Sequence, residues 1–199
     1  MSVINAMKKI IDENIKLIEE KFTPTKFALY TIMIFFITVA VLPYVLYISE
    51  KLTNITFFYD YGKSVYSQLE NTGVANKNYL STVLFIFLHN LKIASILMFS
   101  APFIVFYFLY ILYVAIVSSI VLYYVGNSTP KMFSVLSLSL VPHGLFELSG
   151  IAYIVWSGLY LYRKDWKNMV KHYLIGAGLL LLAAIIESIP IVFSGSLNC

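Results

Sequence analysis

The chain has 199 residues, of which 60% are hydrophobic, 17% aromatic and only 12% charged. Soluble domains carry about 25% charged residues, so this composition excludes a soluble protein and indicates an integral membrane protein. The net charge of +4 is modest and the 14 Lys and Arg residues are spread over several loops, which excludes a basic nucleic-acid-binding surface. The single cysteine, Cys199, excludes a disulfide bond within the chain.

An amphipathic helix is predicted at 2–22. Apolar residues recur there at intervals of three and four, as on one stripe of an α-helix, and charged residues occupy the opposite face. The stripe ends before Pro24, because proline disfavours helical backbone in the residue that precedes it. Three interpretations remain open for this helix: it lies on the cytoplasmic membrane surface, it self-associates, or it packs beneath the transmembrane helices.

Five apolar runs are long enough to cross a bilayer, since a helical crossing takes about 20 residues. They predict transmembrane helices at about 26–48, 80–100, 103–125, 132–162 and 173–193. Together with the amphipathic helix they predict an all-α fold, in which the whole chain, 1–199, is a single polytopic membrane domain. The one long connection, 49–78, is rich in tyrosine and is predicted to be a water-exposed loop with a short helix at 64–69.

Two prolines and several small residues bear on how the helices pack. Pro43 and Pro142 lie inside the first and fourth crossings, where the missing backbone donor predicts a kink or a break. Small residues on the third and fifth crossings predict close helix contacts and keep a homodimer open as an interpretation. These residues are Ala115, Ser118, Ser119, Gly176, Ala177, Gly178, Ala183 and Ala184.

The positions of lysine and arginine predict the orientation, because short cytoplasmic loops carry an excess of positive charge. A cytoplasmic N-terminus places on the inside Lys8, Lys9, Lys16, Lys21, Lys26, Arg163, Lys164, Lys167 and Lys171. It places on the outside only Lys51, Lys63, Lys77 and Lys131. The sequence therefore predicts a multi-pass protein of the cell membrane with its N-terminus in the cytoplasm and its C-terminus and the loop 49–78 outside.

Polar residues inside three of the crossings are the candidate functional residues. They are His89, Asn90 and Lys92 in the second crossing, His143, Gly144 and Glu147 in the fourth, and Glu187 in the fifth. At a rise of 1.5 Å per residue, the ionisable members fall in one slab between the outer third of the bilayer and its midplane. This common depth predicts one polar cluster shared by three helices.

Four interpretations of this polar cluster remain open. In the first it is structural and Lys92 pairs with Glu147, because an unpaired charge at the bilayer centre costs about 2.5 to 3.5 kcal/mol. The second is a site for zinc or another divalent metal. Its ligands would be His89, His143, Glu147 and Glu187. The remaining two are a proton or substrate pathway beside a broken fourth helix, and general acid–base catalysis without a metal.

Three runs of residues resemble the stage II sporulation protein M family of integral membrane proteins. They are residues 87–92, 142–148 and 183–187, and the most specific motif is Pro-His-Gly-x-x-Glu at 142–147. The resemblance covers about residues 80–193 and carries the family's motif positions onto Asn90, His143, Gly144, Glu147 and Glu187. For spore-forming bacteria it implies a membrane anchor for peptidoglycan-degrading enzymes.

The leading hypothesis is a non-enzymatic membrane scaffold that lies in the bilayer and recruits a protein partner through the outer loop or the N-terminal helix. No cofactor is expected for such a protein. The alternatives are a metal-dependent intramembrane hydrolase that uses His143 and Glu147, and a small proton-coupled transporter. The chain has no Gly-x-Ser-x-Gly motif, so the sequence offers no serine nucleophile of that type. Whether the protein is an enzyme stays open, and the sequence favours a non-enzymatic role.

Overall fold

The computed structural model describes residues 3–53, 56–71, 78–128 and 130–195. Seven α-helices follow one another, with a 3-10 turn at Ala101–Phe103 between the fourth and fifth. They are α1 Val3–Lys21, α2 Pro24–Thr53, α3 Phe57–Asn71, α4 Tyr79–Met98, α5 Ile104–Ser128, α6 Pro130–Tyr162 and α7 Trp166–Gly195. The described part of the chain contains no strand, which confirms the predicted all-α fold.

Five of these helices, α2 and α4 to α7, are long and apolar enough to span a membrane. The number and order of the predicted crossings are therefore confirmed. Three local predictions differ from the structure. Helix α7, the fifth span, begins at Trp166 and not near residue 173. Helix α3 is longer than the predicted segment 64–69. Helix α6 continues through Pro142, so this proline does not break it.

Helix α6 is the central helix of the bundle and contacts each of the other four spans. In its spanning part 61% of the residues are buried, against 22% to 28% in the other spans. A helix with neighbours on all sides is the one best placed to bring polar side chains of different helices together.

Helices α6 and α7 make the most extensive contact in the bundle, and two glycines allow it. A Cβ on Gly176 would lie 2.6 Å from the carbonyl oxygen of Gly150 and 2.6 Å from Cγ1 of Ile154. Any side chain at this crossing would push the helices apart. Because glycine has none, the two helices can approach closely, as helices with small residues do in membranes.

A tight turn joins α6 to α7. The N–H of Asp165 donates to Tyr160 O and the N–H of Lys164 donates to Leu161 O, which is a Schellman ending with Lys164 at a φ of 59°. Asp165 then caps α7, since its carboxylate accepts a hydrogen bond from the backbone N–H of Asn168. The side-chain amide of Asn168 donates a second bond, and these bonds hold the pKa of Asp165 below its ordinary value.

Helix α1 packs beneath the bundle, on the side where α4 ends and α6 turns into α7. Ile15 and Ile18 are buried there, and α1 contacts the 3-10 turn. Nη1 of Arg163 lies 2.6 Å from Oε2 of Glu19, which joins α1 to the turn between α6 and α7. In the structure α1 packs against the bundle, while its first turn, from Val3, is exposed. That the helix lies on the membrane surface, or that it self-associates, stays a prediction.

Helix α3 lies on the opposite side of the bundle and packs against α5. Gly62 sits directly on α5, where an added Cβ would lie 2.8 Å from Ile120 O and 2.8 Å from Cβ of Tyr124. The ring of Tyr59 contacts the rings of Tyr123 and Tyr124, with centroid distances of 6.3 and 5.0 Å. The segment predicted as an exposed loop is therefore largely a helix held on the bundle.

Candidate functional site

His143, Glu147 and Glu187 come together between α6 and α7. One ligand atom from each, an imidazole nitrogen or a carboxylate oxygen, lies within 4.8 Å of the other two. His143 and Glu147 are four residues apart on α6 and so share a face of that helix, and Glu187 reaches them from the last part of α7. We call these three residues the His-Glu-Glu centre.

Lys92 does not belong to this centre. It is exposed on α4 and forms no ion pair with Glu147 within the described part of the chain. The predicted structural pair of Lys92 and Glu147 is therefore absent. Asn90, two residues earlier, is 8% exposed, and positions two apart on a helix point in different directions.

His89 also lies outside the centre. Its side chain is exposed and its ring stacks on that of Phe85, with 6.3 Å between the centroids. Of the four metal ligands that the sequence suggested, three are brought together and His89 is not. The reason is again the direction in which each α4 residue points, since α4 buries the stripe that contains Ile86, Asn90 and Ala94.

A cavity of about 170 Å³ lies beside the centre, between α2, α4, α5 and α6. Glu147 belongs to both, because it is a member of the centre and also lines the cavity. The other polar residues that line it are Asn90, Tyr110 and Ser118. Tyr110 and the cavity-facing role of Ser118 could not be inferred from the sequence, because a single Tyr or Ser in an apolar helix carries no signal of its own.

Gly144 lines the same cavity from α6. A Cβ at this position would lie 3.4 Å from Cζ of the Phe36 ring, which is close contact without overlap. The predicted polar residues thus divide into three groups. His143, Glu147 and Glu187 form the centre, Asn90 and Gly144 line the cavity, and His89 and Lys92 are exposed residues that belong to neither.

The His-Glu-Glu centre offers one nitrogen and two oxygen donors. This mixed donor set suits zinc and related divalent metals. Glu147 and Glu187 also place two carboxylates close together from different helices, and such a pair inside a bilayer needs either a cation or bound protons to offset its charge. The chemistry open to the site is therefore cation binding or proton binding.

Comparison with protein-family models identifies a family for this chain. The model described as Stage II sporulation protein M matches residues 27–189, which contain the five spanning helices almost completely and every residue of the centre and the cavity. No curated protein and no solved structure matches the chain.

Proposed function

The chain belongs to the stage II sporulation protein M family, and on that premise we propose that it is a non-enzymatic membrane scaffold that recruits a protein partner through α3. By the distribution of positive charge, the side of the bundle that carries α3 is extracytoplasmic. The class of partner that the family resemblance implies is a peptidoglycan-degrading enzyme, whose substrate lies on that side.

The observation that carries this proposal is an aromatic patch on α3. Phe57, Phe58 and Tyr61 are 64%, 39% and 42% exposed. The rings of Phe57 and Tyr61 stack with 6.5 Å between their centroids, and Phe58 meets Phe57 edge to face at 5.3 Å. Exposed aromatic rings grouped in this way are typical of the anchor residues of protein interfaces.

The packing of α3 prepares this patch for binding. Gly62 and Tyr59 hold the other face of the helix against α5, so the aromatic patch is presented on an ordered helix. A partner that binds it does not have to order a flexible loop, and the free-energy cost of association is lower for that reason.

We expect that replacing Phe57 and Phe58 by serine weakens the complex with an extracytoplasmic peptidoglycan-degrading enzyme of the same cell by at least about tenfold. Losing one aromatic anchor typically costs about 2 kcal/mol, which exceeds the 1.4 kcal/mol that corresponds to a tenfold change. The measurement is the affinity of purified chain in nanodiscs for candidate enzymes of this class, titrated by biolayer interferometry.

The matched control replaces Tyr44 and Tyr47 by serine, two aromatic residues of α2 that are also exposed. This variant should bind the enzyme as the unaltered chain does. Equal loss of binding in both double variants would contradict the proposal. An α3 variant that binds normally and only inserts less well into nanodiscs would also contradict it, because the patch would then anchor the helix in the membrane interface.

A further inference from the structure

We propose that the His-Glu-Glu centre binds a divalent cation of the zinc type inside the bundle, and that the cavity beside Glu147 holds an exchangeable water on the open side of this cation. The inference goes beyond the scaffold function and does not depend on α3.

The donor atoms are close to the spacing that such a cation requires. Zinc bonds to nitrogen and oxygen are about 2.1 Å long, so two ligands of a tetrahedral ion lie about 3.4 Å apart. The ligand atoms of His143, Glu147 and Glu187 lie within 4.8 Å of one another. A small inward movement of the side chains is enough to reach coordination distance.

The charge of the centre favours a divalent ion over a monovalent one. Neither Glu147 nor Glu187 forms an ion pair with a lysine or arginine within the described residues. Two ionised carboxylates at this depth are costly if nothing offsets them. One doubly charged cation would offset the charge of both carboxylates.

The cavity leaves space for water on the side of the centre where Glu147 lies. Its volume of about 170 Å³ has room for about six waters, each of which takes about 30 Å³ in the liquid. Asn90 lines the cavity and is 8% exposed. A water in the cavity would have the amide of Asn90 as a hydrogen-bond partner.

Three protein ligands and one water form the arrangement of reactive zinc sites, whereas structural zinc sites are closed by four protein ligands. A water in this position loses a proton more readily than bulk water. Asn90 and Ser118, which line the cavity from α4 and α5, are placed to accept or donate hydrogen bonds to it. The centre therefore has the features of an open coordination site.

Cobalt(II) is the probe for the cation, because it occupies zinc sites and its visible absorption reports coordination. The purified chain in detergent should bind about one equivalent, and His143→Ala and Glu187→Gln should each weaken binding at least tenfold. His89→Ala is the matched control, since His89 is a nearby histidine outside the centre, and it should bind as the unaltered chain does. Absence of one-equivalent binding, or equal loss in both histidine variants, overturns the proposal.

Azide tests the open side. Added to the cobalt form it should shift the visible spectrum, and Val114→Phe should abolish the shift while cobalt still binds, because Val114 lines the cavity. Val105→Phe is the matched control: it adds the same ring to the same helix at a position that is 65% exposed, and it should leave the shift intact.

A second measurement does not depend on any variant folding. Manganese(II) bound to the unaltered chain in water enriched in oxygen-17 should show an electron–nuclear coupling to at least one water oxygen. Cobalt binding without an azide shift and without this coupling would mean a closed structural site and would overturn the open-site part of the proposal.

Discussion

The ion pair between Arg163 and Glu19 makes the docking of α1 dependent on pH. Burial raises the pKa of Glu19 above its ordinary value, and the Arg163 guanidinium lowers it by less. Docked α1 therefore takes up a proton at a higher pH than free α1 does. Lowering the pH from neutrality through this raised pKa favours docking, and the gain is complete below the ordinary pKa of a free glutamate.

We expect the two partners to respond differently to substitution. Arg163→Ala leaves the Glu19 carboxylate partly buried without its cation and should weaken docking at pH 7 by up to about fivefold, since surface pairs contribute about 0 to 1 kcal/mol. Glu19→Gln should dock at least as well as the unaltered chain and lose the pH dependence. The readout is the labelling rate of a cysteine placed at Ile18, which is buried when α1 is docked.

Lys167→Ala is the control for this measurement, because Lys167 is exposed near the same turn and should leave the labelling rate unchanged. If Glu19→Gln releases α1 as strongly as Arg163→Ala does, attraction outweighs burial at Glu19, contrary to its raised pKa.

The polar residues of α4 show which part of the site could be predicted. Their depth follows from the helical rise, but the direction of each side chain does not. Apolar residues occupy every face of α4, so the sequence does not indicate which face is buried. His89 and Lys92 lie about 100° and 200° around the helix from Asn90, so only one of the three can face the cavity. The two residues of α6 were predictable as a pair, since four residues separate them.

Among the elements, the crossing of α6 and α7 depends on glycine at a single point of contact. Gly176→Ala should lower the free energy of unfolding by about 1 to 3 kcal/mol, because the new methyl group would overlap Gly150 O and Ile154. Gly178, two residues further on, has nothing within 4 Å of an added Cβ. Gly178→Ala should therefore be neutral or slightly stabilising, as alanine is the better helix former.

Thermal unfolding of both variants in the same detergent measures this difference. Equal changes in midpoint would show that the close contact does not contribute to stability.

The ends of the elements were less predictable than their existence. A long apolar run is sufficient to identify a span, and five were identified. The start of α7 was placed too late because its first turns carry Lys167 and Lys171, and charges end an apolar run without ending a helix. Helix α3 begins earlier than the predicted segment 64–69 and includes Gly62, which provides the contact with α5.

For the whole molecule, the distribution of positive charge predicts that α1 and the turn between α6 and α7 face the cytoplasm. In a Cys199→Ser background, a cysteine at Ser64 on α3 should react with a membrane-impermeant maleimide added to intact cells. Cysteines at Lys9 and Lys167 should react only after permeabilisation. Labelling of Lys9→Cys in intact cells with protection of Ser64→Cys would reverse the orientation.

The central place of α6 could not be predicted from the sequence. In water a buried helix stands out by its apolar character, but in a bilayer every spanning helix is apolar and the hydrophobic effect does not drive one helix against another. Packing of small residues decides the arrangement instead, and the partner of each small residue is known only once the helices are placed.

The contact between Gly150 and Gly176 also acts as a pivot. His143 lies about 10 Å from it along α6 and Glu187 about 16 Å along α7, so a change of roughly 5° in the tilt of one helix moves these side chains by about 1 Å relative to each other. Spanning helices change their tilt when the hydrocarbon layer becomes thinner or thicker. The separation of Glu187 from the two α6 residues is therefore sensitive to the lipids around the protein, and short-chain and long-chain bilayers should hold the centre at different spacings.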